Sequence, residues 1–250
     1  MPELQDSIED IWAGRETIEA LDPDQRRCVD AVMAGLDSGR FSIVEFDSRG
    51  RPQLYEWLKK AVLLYLRYTQ AGTIECGPGR SVWYDKVAMK CANWQDHDFA
   101  QAGFRLVPGA IVRYGAYIAP RCVVMPSFIN IGSFVNEGTM VDSWATVGSC
   151  AQIGRNCHIS NGAGIGGVLE PLQAAPVIIE DNVFIGAQSE IAEGMHIGEG
   201  AVIGMGVQLG ASVRIIDRIT GDTYRGHVPP GSVVVPGSQP GPDGGPNTYC

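Results

Sequence analysis

Two acidic residues are candidates for proton transfer. Each lies next to an aliphatic residue of a six-residue repeat, where a carboxylate can be partly shielded from water. Asp142 follows Val141 in the segment MVDSWATVGS, close to Trp144, and Glu190 precedes Ile191 in GAQSEIAEG. A carboxylate that is shielded from water beside an aromatic ring can act as a general base. Most acids at such positions are only solvated charges, so the residue types alone leave both interpretations open.

Arg105 lies in the segment GFRLVPGA, directly ahead of the repeat. An arginine in such a place is usually solvated, but its planar guanidinium can also hold a carboxylate through two parallel hydrogen bonds. The formal net charge of −9 argues against nucleic acid as a partner, because a phosphate-binding surface needs an excess of Lys and Arg. An anionic substrate would therefore have to be met by local cations or backbone amides.

Two histidines offer a rival interpretation as metal ligands. His158 and His196 each stand directly before a repeating aliphatic residue. If the interruption of the repeat replaces one six-residue step and adds two residues, the histidines share a face two coils apart, about 10 Å at the strand spacing. That separation is too large for one zinc ion within one chain, since each Zn–N bond is about 2 Å long. It leaves open a metal that is shared between the chains of a trimer.

The seven cysteines form no CxxC pair and are odd in number, so they indicate neither a zinc site nor a disulfide framework. We expect reduced thiols in a cytoplasmic protein. Cys150 and Cys157 are weak candidates for a nucleophile, because both fall within the repeat. The acidic start MPELQDSIED is unlike a signal peptide, and the longest apolar run is too short to cross a bilayer. We therefore expect no membrane partner.

These candidates are positioned by a stretch in which every sixth residue is hydrophobic. A period of six fits neither a helix nor a single two-faced strand. It is typical of a parallel β-helix, in which three six-residue faces make one triangular coil and the aliphatic residues stack inside it. The repeating positions are Ile111, Tyr117, Val123, Ile129, Val135, Val141, Val147, Ile153, Ile159 and Ile165, and then Ile179, Ile185, Ile191, Ile197, Ile203, Leu209 and Ile215.

Small residues four positions after the aliphatic ones support this register, since they would fit where the coil turns its corners. Between Ile165 and Ile179 the repeat is interrupted by GGVLEPLQAAP, whose prolines cannot serve a central ladder. We expect residues 167–176 to form a loop expelled from the coil, a common place for functional residues. The small residues are Ser127, Ser133, Thr139, Ala145, Ala151, Cys157 and Ala163.

The first hundred residues lack the repeat and predict a mostly helical α/β domain. Asp22 followed by Pro23 is a favourable N-cap and first-turn pair. The polar segment WQDHDFAQAGFRLVPGA suits a linker into the repeat. The expected elements are helices from Leu4 to Trp12, from Asp22 to about Gly39 and from Pro52 to about Gly72, and extended segments at 41–47, 73–76 and 82–84.

After Ile215 the sequence RIIDRITGDTYRGHVPPGSVVVPG predicts a hairpin at 220–222 and one further strand that closes the coil. The last stretch, SQPGPDGGPNTYC, is rich in Pro and Gly, and we expect it to be poorly ordered. The predicted division of the chain is a helical domain at 1–103, a β-helix at 104–215 with a loop at 167–176, and a C-terminal β extension with its tail at 216–250.

Four segments together resemble a known family. They are GFRLVPGAIVRYGAYIA, MPSFINIGSFVNEGTMVDSWATVGSCAQIG, GIGGVLEPLQAAPVIIEDNVFIGAQSEI and VPPGSVVVPG, and they are similar to the tetrahydrodipicolinate N-succinyltransferases, hexapeptide-repeat acyltransferases of bacterial lysine and diaminopimelate biosynthesis. The resemblance covers about residues 104–237. It implies a mainly β protein with a left-handed parallel β-helix, assembled as a homotrimer with active sites in the clefts between neighbouring coils.

The resemblance also implies a reaction and residue roles. Members of the family transfer succinyl from succinyl-CoA, a co-substrate and not a tightly bound cofactor, to the nitrogen of a cyclic dicarboxylate. The family's substrate-binding arginine falls on Arg105, its active-site aspartate on Asp142 and its paired glutamate on Glu190. We expect Asp142 to contact the substrate as its general base. CoA is expected along the coil near Gly204–Gly206, including Met205, because missing side chains there permit close approach.

Three alternatives remain. The spacing fits an acetyl donor at the same step equally well. A trimeric γ-carbonic-anhydrase-like protein on the same coil would bind zinc through His158 and His196. A catalytically inert coil used for binding is the third, because family members continue past the point that matches 247–250 with another strand and a helix near the cofactor, whereas the sequence here ends at Cys250.

Overall fold

A computed structural model of the chain describes residues 2–75 and 82–239, together with 241, 245 and 248–249. Three of its four helices pack around one apolar core that includes Ile8, Val32 and Leu58. Within these described ranges, no helix combines the length and the apolar character needed to cross a bilayer. The helices are α1 (Pro2–Gly14), α2 (Pro23–Asp37), α3 (Glu56–Tyr68) and α4 (Asp96–Ala102).

The start of α2 confirms the predicted cap. Asp22 Oδ1 accepts hydrogen bonds from the backbone N–H groups of Asp24 and Gln25, at 2.8 and 2.9 Å. In return, the Gln25 side chain accepts from the Asp22 N–H at 3.1 Å, which completes a capping box. Unpaired N–H groups of the first turn are thereby satisfied.

Two predictions for the N-terminal domain are wrong. The third helix begins at Glu56 and not at Pro52, because residues 52–54 form a strand whose proline, at its first position, needs no N–H for the ladder. The expected linker before the repeat contains helix α4, which Gly103 ends in a left-handed conformation with φ 72°. The strands pair antiparallel as β1 (Val44–Phe46) with β2 (Pro52–Leu54), and β3 (Gly72–Glu75) with β4 (Val82–Asp85).

The strand expected at 41–47 is shorter and spans only Val44–Phe46. The extended segment expected at 73–76 is found as β3, except that Cys76 lies outside the described residues.

The rest of the chain is a left-handed parallel β-helix with three sheets. Face 1 consists of β7 (Tyr117–Ile118), β10 (Phe134–Val135), β13 (Gln152–Ile153), β16 (Ile178–Ile179), β19 (His196–Ile197) and β24 (His227–Val228). Face 2 consists of β5 (Arg105–Leu106), β8 (Val123–Val124), β11 (Met140–Val141), β14 (His158–Ile159), β17 (Phe184–Ile185), β20 (Val202–Ile203) and β25 (Val233–Val234). Face 3 consists of β6 (Ile111–Val112), β9 (Phe128–Ile129), β12 (Thr146–Val147), β15 (Gly164–Ile165), β18 (Glu190–Ile191) and β21 (Gln208–Leu209).

The predicted inner column is confirmed from Ile129 to Leu209, and the predicted small corner residues are all buried. The first three positions are wrong by one residue. The side chains inside the coil there are those of Val112, Ile118 and Val124, which pair in register with Ile129, Val135 and Val141. The cause is a corner that is one residue short, because only five positions separate Val124 from Ile129. Pro126 lies in that corner.

The interruption of the repeat spans one step of the coil and not two. Strand β15 ends on face 3 at Ile165, and the next coil strand, β16, begins on face 1 at Ile178. Residues 166–177 therefore leave the coil and rejoin it at the same corner, between faces 3 and 1. They form the expelled loop that the two prolines predicted. The two histidines consequently lie on different faces, His158 on face 2 and His196 on face 1, so the prediction that they share a face is wrong.

The C-terminal part adds more to the coil than expected. Ile215 lies in a hairpin of β22 (Ile215–Ile216) and β23 (Thr223–Tyr224), as predicted around 220–222, and so it does not belong to the inner column. Two strands, β24 and β25, then continue faces 1 and 2 beyond the hairpin. In the tail expected to be poorly ordered, β26 (Ser238–Gln239) pairs with β27 (Thr248–Tyr249). The domain boundaries themselves stay predictions.

The N-terminal domain covers face 1. Ser42 Oγ donates a hydrogen bond to Gln152 Oε1 at 2.8 Å. Ile131, Cys150 and Ile178 of the coil belong to the core of the helical domain. The domain also reaches the first strand of face 3, where the Lys90 N–H donates to the Val112 carbonyl oxygen at 2.9 Å. A substrate site on the coil is therefore to be sought on face 2, on the later strands of face 3 or on the edge between them.

Substitution of Ile159 by Ala tests the inner column. Ile159 is fully buried among stacked aliphatic residues, so the substitution should lower the free energy of unfolding by about 2–5 kcal/mol through lost burial and the remaining cavity. Urea denaturation followed by circular dichroism measures the change. Ile219, which is 96% exposed in the hairpin, is the control, and its substitution by Ala should leave the transition unchanged. Equal effects of the two substitutions would contradict the assigned column.

Candidate active site

Asp142 lies at the corner that follows β11, where the chain passes from face 2 to face 3. Its backbone N–H donates to the Ile159 carbonyl oxygen at 2.9 Å, which continues the ladder by one residue. Its carboxylate Oδ1 accepts a hydrogen bond from the Ser143 N–H at 2.6 Å. The side chain is half-buried, and its second oxygen, Oδ2, lies 3.7 Å from His158 Nε2 and accepts no backbone hydrogen bond from the described residues. The backbone thus fixes one oxygen and leaves the other for chemistry.

His158 is the partner of Asp142 that the sequence did not identify. Its Nε2 lies 3.7 Å from Asp142 Oδ2, and its ring packs on Phe184 with 5.3 Å between ring centroids. The cause is the parallel pairing of Met140 with His158, one 18-residue coil apart. Counting eighteen residues from Met140 would have revealed this neighbour. The sequence suggested His158 only as a metal ligand.

Trp144 presents a large apolar surface next to Asp142. It is 75% exposed, and its backbone adopts the left-handed conformation with φ 60°, which bulky residues rarely take. Its N–H donates to the Pro126 carbonyl oxygen at 2.6 Å, so the corner is held against the coil above. The indole is available to pack against a bound molecule or another chain.

Glu190 extends outward from β18 on face 3. It pairs in register with Gly164 of β15, and its carboxylate lies over that glycine. A Cβ atom built on Gly164 would be 2.7 Å from Glu190 Cδ and 2.9 Å from Oε1, and would overlap Oε2. Because Gly164 has no side chain, the Glu190 carboxylate can occupy the space directly above it.

One chain does not bring Asp142 and Glu190 together. Asp142 belongs to the third coil and Glu190 to the fifth, and two coils are about 10 Å apart at the strand spacing. Arg105 belongs to the first coil, on face 2, in register with Val123 and through it with Met140. Its side chain is exposed, and within the described part of the chain it makes no hydrogen bond or ion pair.

The glycine-rich corner predicted to bind CoA lies on the same edge of the coil as Asp142. Down this edge, between faces 2 and 3, the ladder passes from Asp142 to Ser160, Gly186 and Gly204. Gly204 is thus three coils from Asp142, about 14 Å. Met205 is 73% exposed, and nothing lies within 4 Å of a Cβ built on Gly206. Asp142 and the predicted CoA-binding corner therefore share one edge of the coil.

The histidines do not form a common metal site. His196 Nε2 lies 2.7 Å from Glu180 Oε1 on face 1, whereas His158 faces Asp142 on face 2. In the ranges that the structure describes, no group of three or more His, Cys, Asp or Glu side chains is arranged to hold a metal ion.

The cysteines of the coil are poor nucleophiles. Burial raises the pKa of the Cys150 thiol to about 12, although the nearby Lys59 opposes the shift. Burial likewise raises the pKa of Cys157 to about 11. Both thiols are therefore protonated at neutral pH, and only a thiolate attacks readily. The five described cysteines that are free of disulfides are Cys28, Cys91, Cys122, Cys150 and Cys157.

Family models match both parts of the chain. The model described as the hexapeptide repeat of succinyl-transferase matches residues 176–211. The model described as the N-terminal part of tetrahydrodipicolinate N-succinyltransferase matches residues 3–68, which contain helices α1 to α3. Together with the triangular coil and its acidic edge, these matches define a hexapeptide-repeat protein of the succinyltransferase class.

Relatives of known name extend over the whole chain. The 2,3,4,5-tetrahydropyridine-2,6-dicarboxylate N-succinyltransferase of Methylobacterium sp. (strain 4-46) is 57% identical over 254 residues, which cover 99% of this chain and 90% of the relative. The enzyme of the same name from Rhodospirillum rubrum is 55% identical over 257 residues, covering 100% of this chain and 90% of the relative. The chain belongs to the tetrahydrodipicolinate N-succinyltransferase family.

A solved structure supports the fold alone. It is a putative 2,3,4,5-tetrahydropyridine-2-carboxylate N-succinyltransferase from Campylobacter jejuni, with a TM-score of 0.53 and 16% sequence identity. The similarity covers 80% of this chain and 56% of that one.

Proposed function

We propose that this protein transfers the succinyl group of succinyl-CoA to the nitrogen of 2,3,4,5-tetrahydropyridine-2,6-dicarboxylate, a step of lysine and diaminopimelate biosynthesis in the cytoplasm. Relatives at 55–57% identity carry the name of this activity. The observation that carries the proposal is that Asp142 and the glycine-rich corner at Gly204 lie on the same edge of the coil. This edge offers a track for an extended acyl-CoA arm that ends beside a carboxylate.

The reaction needs one base and no covalent enzyme intermediate. Water adds across the ring imine of the acceptor and leaves a secondary amine, whose nitrogen attacks the thioester carbonyl carbon. The C–S bond breaks, Asp142 takes the N–H proton, and the CoA sulfur leaves and is protonated. The ring C–N bond then opens as the added hydroxyl becomes a ketone, which gives the N-succinyl open-chain product.

Charged side chains near the edge match the charges of the reactants. Arg105 would bind a carboxylate of the acceptor, which locally offsets the net charge of −9. The His158 ring, whose Nε2 lies 3.7 Å from Asp142 Oδ2, would help to orient the Asp142 carboxylate toward the acceptor nitrogen. Arg105 and Asp142 are two coils apart, a spacing of about 10 Å that leaves room for a bound dicarboxylate between them.

We also propose that the active unit is a homotrimer in which Glu190 of one chain approaches Asp142 of another. Within a chain these residues lie two coils apart, so a second chain is needed to pair them. The outer surface of face 2 carries an apolar column that water would otherwise cover. Phe184, Val202 and Val233 of this column are exposed by 43%, 37% and 70%. Apolar surface of this kind is typical of contacts between chains.

A thiol-release assay tests the activity and the choice of donor. With 2-aminopimelate as a stable acceptor amine, succinyl-CoA should yield free CoA at a rate at least tenfold above that with acetyl-CoA. The control is the same mixture without acceptor, which measures hydrolysis. Equal rates with both donors would show that the enzyme is not specific for succinyl-CoA. If neither donor releases CoA above the control, acyl transfer is refuted.

A further inference from the structure

Lys59 is a fully buried cation on helix α3. It has no exposed surface, and its neighbours Leu58 and Ala61 are also buried. Its Nζ donates three hydrogen bonds to carbonyl oxygens of the expelled loop, at 3.1 Å to Pro171, 2.9 Å to Leu172 and 3.0 Å to Ala174. In the described part of the chain no carboxylate forms an ion pair with it.

Burial of an ammonium group costs folding free energy, so other interactions of Lys59 must offset that cost. Removal from water lowers the pKa of Lys59, whereas an apolar side chain of similar size would carry no such cost. The three carbonyl oxygens match the three N–H donors of the ammonium. An apolar side chain would be enough if this position only filled space. Because Lys59 instead donates three hydrogen bonds to the loop, we infer that it holds the loop backbone in one conformation.

The loop held by Lys59 borders the place where Glu190 rests. At its start, Gly166 N–H donates to the Ile191 carbonyl oxygen at 2.7 Å, directly beside Glu190. Two residues earlier, Gly164 supports the Glu190 carboxylate. At its end, the Ala175 carbonyl oxygen lies 2.6 Å from a Cβ built on Gly194, at the corner that follows β18. The loop thus contacts the end of the strand that carries Glu190 and the corner that follows it.

We propose that Lys59 is a positioning residue: through the three carbonyl oxygens it fixes the loop at 166–177, and through the loop it fixes Glu190 for acyl transfer. The inference rests on the role proposed above for Glu190. It gives the N-terminal domain a part in the reaction, because α3 sets the geometry of a site on the coil. Lys59 itself touches no reactant.

Substitution of Lys59 by Met tests this role, since Met keeps much of the apolar volume and removes all three donors. Hydrogen–deuterium exchange should rise at least fivefold in the loop and remain unchanged in α2 and in the distant coils. The kcat of succinyl transfer should fall about tenfold because the carboxylate is misplaced. The KM for succinyl-CoA should stay within twofold, because Gly204 lies on the other edge of face 3.

Lys90→Met is the matched control. Lys90 is also a buried lysine at the border of the two domains, but its Nζ pairs with Asp37 Oδ2 at 2.9 Å and does not touch the loop. This variant should leave loop exchange and kcat unchanged even if it lowers stability. If Lys59→Met does not fold, Lys59→Gln, which keeps two donors on a shorter chain, is compared with Lys90→Gln, and its loop should still exchange faster.

Four outcomes bear on the proposal. Faster loop exchange with a lower kcat supports it, and unchanged loop exchange overturns the contact. Faster exchange with an unchanged kcat overturns the positioning role. If the wild-type protein transfers no succinyl group, the proposed function fails and the positioning role fails with it, while the exchange comparison still decides whether Lys59 holds the loop.

Discussion

Replacing Asp142 with Asn is expected to lower kcat/KM for succinyl transfer by about 10²- to 10⁴-fold, the usual contribution of a general base. The amide is nearly isosteric with the carboxylate. Its oxygen can still accept the hydrogen bond from the Ser143 N–H, so the corner should keep its shape. The amide cannot take a proton from the attacking nitrogen. Initial rates of CoA release, with circular dichroism to confirm the fold, measure the effect.

Asp181→Asn is the control for this substitution. Asp181 also lies at a corner of the coil and also accepts a backbone hydrogen bond, from the Arg155 N–H at 2.7 Å, but on another edge. Its substitution should leave the rate within twofold. A folded Asp142→Asn protein that keeps its full rate would exclude Asp142 as the base and leave His158 as the nearest candidate.

The interior of the coil could be predicted from the sequence because burial there is periodic. Each sixth side chain points into the same column, so hydrophobicity at Ile129, Ile159 or Ile203 reports directly on position. The cap of α2 could be predicted for a similar reason, since Asp22 acts on N–H groups only two and three residues away. Local and periodic features need no knowledge of distant contacts.

The placement of the site could not be predicted because it depends on two breaks in the period. The short corner at Pro126 shifts the first coil by one residue. The loop at 166–177 lengthens one step of the coil, from Ile165 to Ile179, from six positions to fourteen. Counted as two steps, the loop would put Gly204 on a different edge from Asp142. The observed pairing of His158 with Phe184, across the loop, shows that the two positions share an edge.

The environment of Lys59 lies furthest from what a sequence reveals. In the sequence it is one of two adjacent lysines in an amphipathic helix, and such residues are usually solvated. Its neighbour Lys60 pairs with a carboxylate, Glu9, at 2.6 Å. Lys59 differs only because the loop, more than a hundred residues later in the chain, covers it with carbonyl oxygens.

Replacing Gly164 with Ala is expected to lower kcat by about 10- to 100-fold, through misplacement of the Glu190 carboxylate. The added methyl group would occupy the place where that carboxylate rests, because the three atoms nearest to it all belong to the Glu190 side chain. A flexible, exposed side chain can move aside, so the fold should be nearly as stable as before. Steady-state kinetics and a urea transition on the same variant separate the two effects.

A double-mutant cycle shows whether the loss passes through Glu190. In a Glu190→Ala background the space above Gly164 no longer holds a carboxylate, so Gly164→Ala should cause no further loss of rate. Gly72→Ala is the control for a glycine substitution in a strand, because nothing lies within 4 Å of the added methyl group. If Gly164→Ala lowers the rate equally in both backgrounds, the glycine acts on something other than the carboxylate. If it has no effect in the wild-type background, the resting position of Glu190 seen here is not the one used in transfer.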